Sequence, residues 1–173
     1  MTSSATPSTS SSDHDTLWDL IKDMKFGMLT HRHPDGTLQG HPLTTQNRSI
    51  DEGSLLYFFI SKKSEVASRL QQDSNVNVAY ADPGADTYVS IAGNATLSDD
   101  RATRERLWSP MATAWFPGGV NDPDAVLLAV KIVHAEYWNV KDSKVTQLFK
   151  MAKAAVTGHV PKDMGEHKKI NVS

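Results

Sequence analysis

The sequence predicts a mainly β domain of the α+β class, in which an antiparallel sheet or barrel carries helices at its periphery. The first strand patterns of the chain form a hairpin, which is typical of antiparallel sheets. The regular βαβ alternation of a parallel, doubly wound sheet is missing. No internal repeat is present, so the strands belong to one sheet system rather than to a solenoid or propeller.

The first helix and the first hairpin follow from apolar spacing and turn chemistry. Apolar residues recur at helical spacing after Ser12 or Asp13, either of which can cap the helix. They are Leu17, Leu20, Ile21 and Met24. Strands over Phe26–Arg32 and Leu38–Thr45 then flank the turn Pro34-Asp35-Gly36.

Strand and helix patterns cover most of the remaining chain. Further strands are predicted over Ser54–Ile60, Asn75–Ala81, Thr87–Ala95 and Ala125–Trp138, from their β-branched and aromatic content. Helices are predicted over Glu65–Gln72, from Asp99 or Asp100 to Leu107, and from Asp142 to near Gly158. The segment Trp108–Asp124 is predicted as a long loop rich in Trp, Pro and Gly. Within the hairpin, Pro42 lacks a backbone donor, so its strand is expected to lie at a sheet edge or to open at that point.

Composition excludes several classes of protein. The chain has 173 residues, a net charge of −2 and no cysteine. This length fits one domain, and the balanced charge is unlike the basic face of a nucleic-acid-binding protein. Without cysteine there is no disulfide framework, thiolate metal site or thiol nucleophile, and a reducing compartment such as the cytoplasm is expected. The longest apolar runs fall far short of the roughly 20 residues of a membrane span.

The two ends of the chain are predicted as tails around one domain. Residues 1–12 are rich in Ser and Thr and lack both the apolar and the basic regions of a signal peptide, so we expect a disordered tail. The domain is placed at residues 13–158. Residues 159–173 are expected to form a C-terminal tail, either packed on the domain or loose.

Three clusters could carry chemistry. The first, Ser61-Lys62-Lys63-Ser64, follows a strand and precedes a helix, where hydroxyls, ammonium groups and backbone N–H donors suit a phosphate. The alternative is that Ser64 only caps the helix and the lysines are solvated. The second, formed by His31, His33 and His41, could bind zinc, although no carboxylate partner is evident from the spacing.

The third cluster is aromatic. Trp108, Trp115 and Phe116 occur within the predicted loop, where large apolar side chains need cover. They either pack under the loop or form a surface for a second subunit or a flat ring, and the second interpretation is favoured.

Taken in order, several segments of the chain together carry a resemblance to a known family. The residues that carry the resemblance lie within roughly 13–140. They are Leu17-Trp18 with Leu20-Ile21, the hairpin Met28–Leu43, Phe58-Phe59-Ile60-Ser61, Ala79-Tyr80-Ala81-Asp82-Pro83, Tyr88-Val89-Ser90 with Gly93, Leu107-Trp108-Ser109-Pro110, Trp115-Phe116-Pro117 and Ala135-Glu136-Tyr137-Trp138. In this order they resemble the pyridoxamine 5′-phosphate oxidase-like, flavin-binding split barrels, in particular their general stress protein 26 branch.

The resemblance implies a six-stranded antiparallel split β-barrel that forms a homodimer and binds FMN at the dimer interface. It places the flavin ring and ribityl chain near the second and third strands, and the phosphate on the segment after the third strand. The implied cofactor-binding residues are Gly40, His41, Pro42, Leu43, Thr44, Phe59, Ile60, Ser61, Lys62, Lys63, Ser64, Trp108, Trp115 and Phe116. The last three would reach the flavin from the partner subunit.

The sequence departs from the family at two points. Relatives commonly have Arg-Pro where this chain has His41-Pro42, so one polar flavin contact differs. No counterpart of the basic substrate pocket of true pyridoxamine 5′-phosphate oxidases is found near the C-terminus, so that activity is not expected. The implied function is a flavin-dependent oxidoreductase of the general stress type, and the alternative is a flavin-binding stress or sensor protein without turnover.

Overall fold

The computed structural model describes residues 11–51, 53–139 and 166–171. The helices are α1 (Ser11–Ile21), α2 (Glu65–Leu70), α3 (Arg101–Leu107) and α4 (Pro110–Trp115), with a 3-10 turn over Gly119–Asn121. The strands are β1 (Phe26–Arg32), β2 (Leu38–Thr44), β3 (Leu55–Ser61), β4 (Asn75–Asp82), β5 (Thr87–Ser98), β6 (Ala125–Asn139) and β7 (Glu166–Asn171).

The strands form one antiparallel sheet in the order β2-β1-β4-β5-β6-β3, and β7 pairs with the end of β6. The two end strands, β2 and β3, meet at a single bridge between Thr45 and Phe58 in the described part of the chain. Beside it, the N–H of Gln46 donates to the carbonyl of Tyr57 at 2.9 Å. The sheet therefore curls into a barrel that is closed at this point and split along the rest of β2 and β3.

The core lies inside the barrel and under its first two helices. Strand residues alternate between buried and exposed, as in β3, where Leu56, Phe58 and Ile60 point inward. Leu17 and Ile21 of α1 join this core, as do the buried residues of α2. Leu17, Leu20 and Ile21 of the predicted stripe therefore form the face that α1 packs against the barrel, whereas Met24 packs on the core beyond the end of the helix.

A glycine permits the irregular pairing of the two longest strands. The β5–β6 register shifts between Ala92 and Gly93. A Cβ at Gly93 would lie 2.5 Å from the backbone oxygen of Lys131, so no larger residue fits without a backbone shift. The bulge bends these strands, which helps the sheet to close on itself.

The predicted fold class is confirmed. Each of the six predicted strands is present, and β1 has the predicted bounds. The edge position expected from Pro42 is also confirmed, since β2 is the first strand of the sheet order. The predicted helix from Asp142 to Gly158 and residues 1–10 of the predicted tail lie outside the described residues.

Besides the 3-10 turn, two elements were not expected from the sequence. The segment predicted as a loop contains α4, which starts with Ser109 as N-cap and Pro110 in its first turn. The segment predicted as a C-terminal tail contains β7, whose Ile170 is buried against the core. A single buried apolar residue among charged neighbours gives too little alternation to identify a strand.

Tyr80 lies beside the closing bridge and is almost completely buried. Its hydroxyl is 2.7 Å from the Thr45 hydroxyl. Burial raises the pKa of Tyr80 from 10.0 to about 12, and the hydrogen bond to Thr45 acts in the opposite direction. The folded protein therefore holds the neutral phenol at pH values where the unfolded chain ionises it.

This difference predicts a loss of stability at alkaline pH. Above pH 10 the unfolded chain binds fewer protons than the native state, so the free energy of unfolding falls as the pH rises toward 12. The two-unit difference corresponds to about 2.7 kcal/mol. Urea denaturation between pH 9 and 12 should show a shallower decline for Tyr80→Phe than for the wild type. The exposed Tyr88→Phe serves as the matched control, and equal slopes for Tyr80→Phe and the wild type would contradict the assignment.

Candidate ligand-binding cleft

A cleft of about 460 Å³ opens where β2 and β3 diverge, and we call it the β2–β3 cleft. Its volume lies within the roughly 300–1,000 Å³ of small-molecule sites. Its lining comes from the start of β1, from β2, β3, α2 and α4, and from the segments after β2, after β3 and before β6. The lining residues are Phe26, His41, Pro42, Leu43, Thr44, Gln46, Phe59, Ile60, Ser61, Ser64, Val66, Met111, Ala112, Trp115, Phe116 and Asp124.

The strand walls of the cleft combine apolar side chains with backbone edges. His41 and Leu43 lie on the same face of β2 as the buried Leu29 of β1. Among the described residues, β2 is paired along its length only with β1, and β3 only with β6. The opposite edges present backbone N–H and C=O groups, which can bind the polar rim of a flat ligand.

The third wall is α4, which is anchored to the barrel. The Ser109 hydroxyl donates to the side-chain oxygen of Gln46 at 3.2 Å. Phe116 is buried, whereas Trp115 is 77% exposed at the mouth of the cleft. Trp115 and Phe116 line the cleft of their own chain. That they also reach a flavin of the partner subunit stays a prediction.

Trp108 supports this wall without lining the cleft. Its ring packs against Phe59 and Phe116, with centroids 4.8 and 6.3 Å away. Its indole N–H donates to the Thr113 hydroxyl at 2.9 Å. Trp108 therefore holds the aromatic rings of β3 and α4 in place, which corresponds to the packing interpretation of this residue.

The hydroxyls of the predicted phosphate segment already have protein partners. Ser64 caps α2 by accepting from the N–H of Ala67 at 3.2 Å, and its hydroxyl donates to the Ser61 carbonyl at 2.7 Å. Ser61 donates to the Asp124 carboxylate at 2.7 Å. The side chains of Lys62 and Lys63 are exposed next to the cleft rather than in its lining.

Asp124 is a cleft residue that the sequence did not single out. One carboxylate oxygen accepts from Ser61, and the other, Oδ1, is buried with no hydrogen-bond partner in the described part of the chain. A buried acceptor without a hydrogen bond lowers the stability of the folded protein unless a donor of a ligand satisfies it. Its negative charge also means that a phosphate here would need the neighbouring lysines to offset the repulsion.

The histidine cluster forms a pair and a separate single residue. The Nε2 atoms of His31 and His41 are 3.0 Å apart, and His31 is 1% exposed. Burial lowers the pKa of His41, the nearby His31 lowers it further, and Glu65 acts in the opposite direction.

His33 is separate from this pair and contacts the carboxylates of Asp35 and Glu65, at 3.2 and 3.5 Å. Among residues 11–51, 53–139 and 166–171, no three such side chains converge as metal ligands would.

The structure thus brings most of the predicted site residues together. Those that line the cleft are His41, Pro42, Leu43, Thr44, Phe59, Ile60, Ser61, Ser64, Trp115 and Phe116, whereas Gly40, Lys62, Lys63 and Trp108 lie beside it. Gly40 is on the outer face of β2, where a Cβ would contact Met28 at 3.4 Å. Met111 and Ala112 were missed because their helix was predicted as a loop.

An incompletely closed antiparallel barrel with a ligand-sized cleft at its split defines this protein as a split barrel. The family model described as "Pyridoxamine 5'-phosphate oxidase like" matches residues 12–162, and the chain belongs to this family. It is similar to general stress protein 26 of Bacillus subtilis (strain 168), with 28% identity over 118 residues, which are 64% of this chain and 83% of that protein.

Solved structures of related proteins share the fold. A putative general stress protein 26 from Jannaschia sp. CCS1 has a TM-score of 0.69 and 28% identity, with 89% of this chain and 94% of that chain covered. The general stress FMN/FAD binding protein from Xanthomonas citri has a TM-score of 0.66 and 30% identity, with 78% and 93% covered. Within the described residues, no helix has the length and apolar character needed to cross a bilayer.

Proposed function

We propose that this protein binds FMN in the β2–β3 cleft and belongs functionally to the flavin-binding general stress proteins. The observation that carries the proposal is the cleft itself, which joins aromatic walls, free strand edges and a cationic segment at the split of the barrel. The related Xanthomonas citri protein is described as FMN/FAD binding, which supports the same ligand class here.

The cleft residues divide into two groups by the part of FMN that they suit. The isoalloxazine ring would lie between β2, at His41–Thr44, and the aromatic side chains of Phe59, Trp115 and Phe116, because flat apolar surfaces bury a flat ring. The phosphate would lie near Ser61–Ser64, where Lys62 and Lys63 supply positive charge. Asp124 Oδ1, which has no partner in the described chain, could accept from a ribityl hydroxyl.

A bound flavin would supply redox chemistry, and the protein would orient it and keep water from its buried face. We propose an oxidoreductase. The alternative is a flavin-binding stress or sensor protein in which bound ligand only stabilises the fold.

Steady-state oxidation of NADH or NADPH by the FMN-loaded protein should exceed that of free FMN. Oxidation no faster than that of free FMN, with a panel of acceptors, would favour the alternative.

We also propose a homodimer in the cytoplasm. Directly paired positions place Met28, Pro42 and Ala79 together on the outer face of the sheet. Large apolar side chains are exposed nearby, including Phe26 (59%) on β1 and Tyr88 (41%) on β5, the strand that pairs with β4. Phe26 also lines the cleft, so this apolar face and the cleft are continuous. A second copy of the chain would cover both, since contiguous exposed apolar surface commonly marks an interface.

The FMN proposal predicts that the phosphate contributes to binding through Lys62. Riboflavin shares the ring and ribityl chain but lacks the phosphate, so the wild type should bind FMN more tightly than riboflavin. Lys62→Ala should remove a charge-assisted contact worth about 1.5–3 kcal/mol, which raises the Kd for FMN about 10- to 150-fold. Fluorescence titration measures both ligands.

Two comparisons keep this test specific. The Kd for riboflavin should be nearly unchanged in Lys62→Ala, and Lys168→Ala, an exposed lysine on β7, should leave both Kd values unchanged. Equal FMN affinity in Lys62→Ala and the wild type would place the phosphate elsewhere. Absence of binding of either flavin by the wild type would refute the proposed function.

The homodimer proposal predicts a double effect of Trp115→Ala. Because this indole is exposed at the mouth of the cleft, its removal should weaken both dimerisation and FMN binding. A central aromatic contact is worth about 2 kcal/mol or more, so the dimer Kd should rise at least about 30-fold in sedimentation equilibrium. Val133→Ala removes an exposed apolar side chain away from the cleft and serves as control. Unchanged dimer and FMN affinities would show that Trp115 serves neither role.

A further inference from the structure

We propose that His41 donates a hydrogen bond to the bound ligand through Nδ1–H, in a tautomer that is fixed by the buried His31. The inference deepens the proposed function, because it assigns a chemical role to one residue of the β2–β3 cleft. It makes His41 a specificity-determining residue and His31 its positioning residue.

The two rings meet edge to edge. Their Nε2 atoms are 3.0 Å apart, whereas their centroids are 5.1 Å apart and their planes differ by 9°. The nitrogens are thus the nearest parts of two nearly coplanar rings, and the lone pair of one lies in line with the N–H of the other. This bond requires one Nε2 to carry a proton and the other to lack it.

The surroundings of His31 decide which ring donates. His31 is 1% exposed, and its Nδ1 has no hydrogen-bond partner in the described chain. If Nδ1 held the proton, an N–H donor would be buried without an acceptor, and such orphaned donors are the rarer defect in folded proteins. We therefore assign the proton to Nε2 of His31, which donates to Nε2 of His41.

The assignment fixes the proton of His41 as well. With Nε2 acting as acceptor, the neutral imidazole of His41 carries its proton on Nδ1. His41 lines the cleft, and no described residue hydrogen-bonds its Nδ1. The cleft therefore offers one fixed neutral donor at this position.

The charges around the pair keep His41 neutral near pH 7. Glu65 of α2 favours its protonation, but burial and His31 oppose it. The other nearby charged or titratable groups, His33 and Arg69, lie 3.4 Å from each other and pair with Glu65. A proton added at Nε2 of His41 would face the Nε2–H of His31 head to head, so this ring resists the positive charge.

A neutral donor selects the group that it contacts. It matches a carbonyl oxygen or an unprotonated ring nitrogen, and it rejects an N–H or a cation at the same place. A heteroaromatic ring with such acceptors at its edge, as in a flavin, meets this requirement. A ligand with only donors along that edge would leave Nδ1–H unpaired.

Two measurements test the inference. Long-range ¹H–¹⁵N correlation spectra of the ligand-free protein distinguish the two imidazole tautomers, and the His41 signals are assigned by their loss in His41→Asn. We expect the Nδ1–H form for His41 in the wild type and a shift toward Nε2–H in His31→Leu. An Nε2–H form in the wild type would overturn the assignment, and this spectrum does not depend on whether His31→Leu folds.

FMN titration tests the ligand contact. His41→Leu removes the donor and should raise the Kd about 2- to 10-fold, as expected for one neutral hydrogen bond. His41→Asn keeps an N–H close to the position of Nδ1 and should restore most of the affinity, whereas His33→Gln should change nothing. Equal affinity of His41→Leu and the wild type would overturn the contact. If the wild type binds no flavin, the proposed function and the ligand contact both fail, and the spectrum still decides the tautomer.

Discussion

Strands β2 and β3 lie at opposite ends of the sheet order and meet at one bridge, between Thr45 and Phe58. The architecture of the described chain depends on this limited pairing. More pairing would close the barrel and remove the cleft, while none would leave the core open on one side. Pro42 has no N–H to donate and so favours an unpaired outer edge. The buried Tyr80 hydroxyl, bonded to Thr45, holds the chain at the point of closure.

Some polar groups of the cleft bind to one another, and others are left to bind a ligand. Ser61 donates to Asp124, which is left with one unpaired buried oxygen, and the flanking Lys62 supplies the opposite charge from the surface. The site therefore suits a ligand that brings donors and an anion together, because hydroxyls can satisfy the carboxylate while the lysines meet the anion. Across the cleft, the His31–His41 pair adds a neutral group. An arrangement of this kind discriminates by the placement of donors and acceptors more than by net charge.

Sequence patterns were sufficient for the parts of the fold that depend on local chemistry. The β-branched and aromatic content of β3, the turn at Pro34-Asp35-Gly36 and the cap at Ser64 each reflect a local preference, and each feature is present. Contacts between residues that are distant in the chain could not be predicted from such local patterns. Nothing in the spacing of His31 and His41 shows that their nitrogens touch, because this depends on the β1–β2 register. Met111 and Asp124 follow β3 by about 50 and 60 residues along the chain, so only the folded chain brings them to the cleft.

The central claim is that the split between β2 and β3 is the ligand site, and hydrogen–deuterium exchange with and without FMN tests it most directly. Edge-strand amides that face the cleft exchange readily when no ligand covers them. The account predicts that FMN slows exchange in peptides covering residues 38–46, 55–64 and 110–116, and leaves β4 and β7 unchanged. Protection confined to another region, such as the hollow near Arg32 and Asp73, or no protection at saturating FMN, would contradict it.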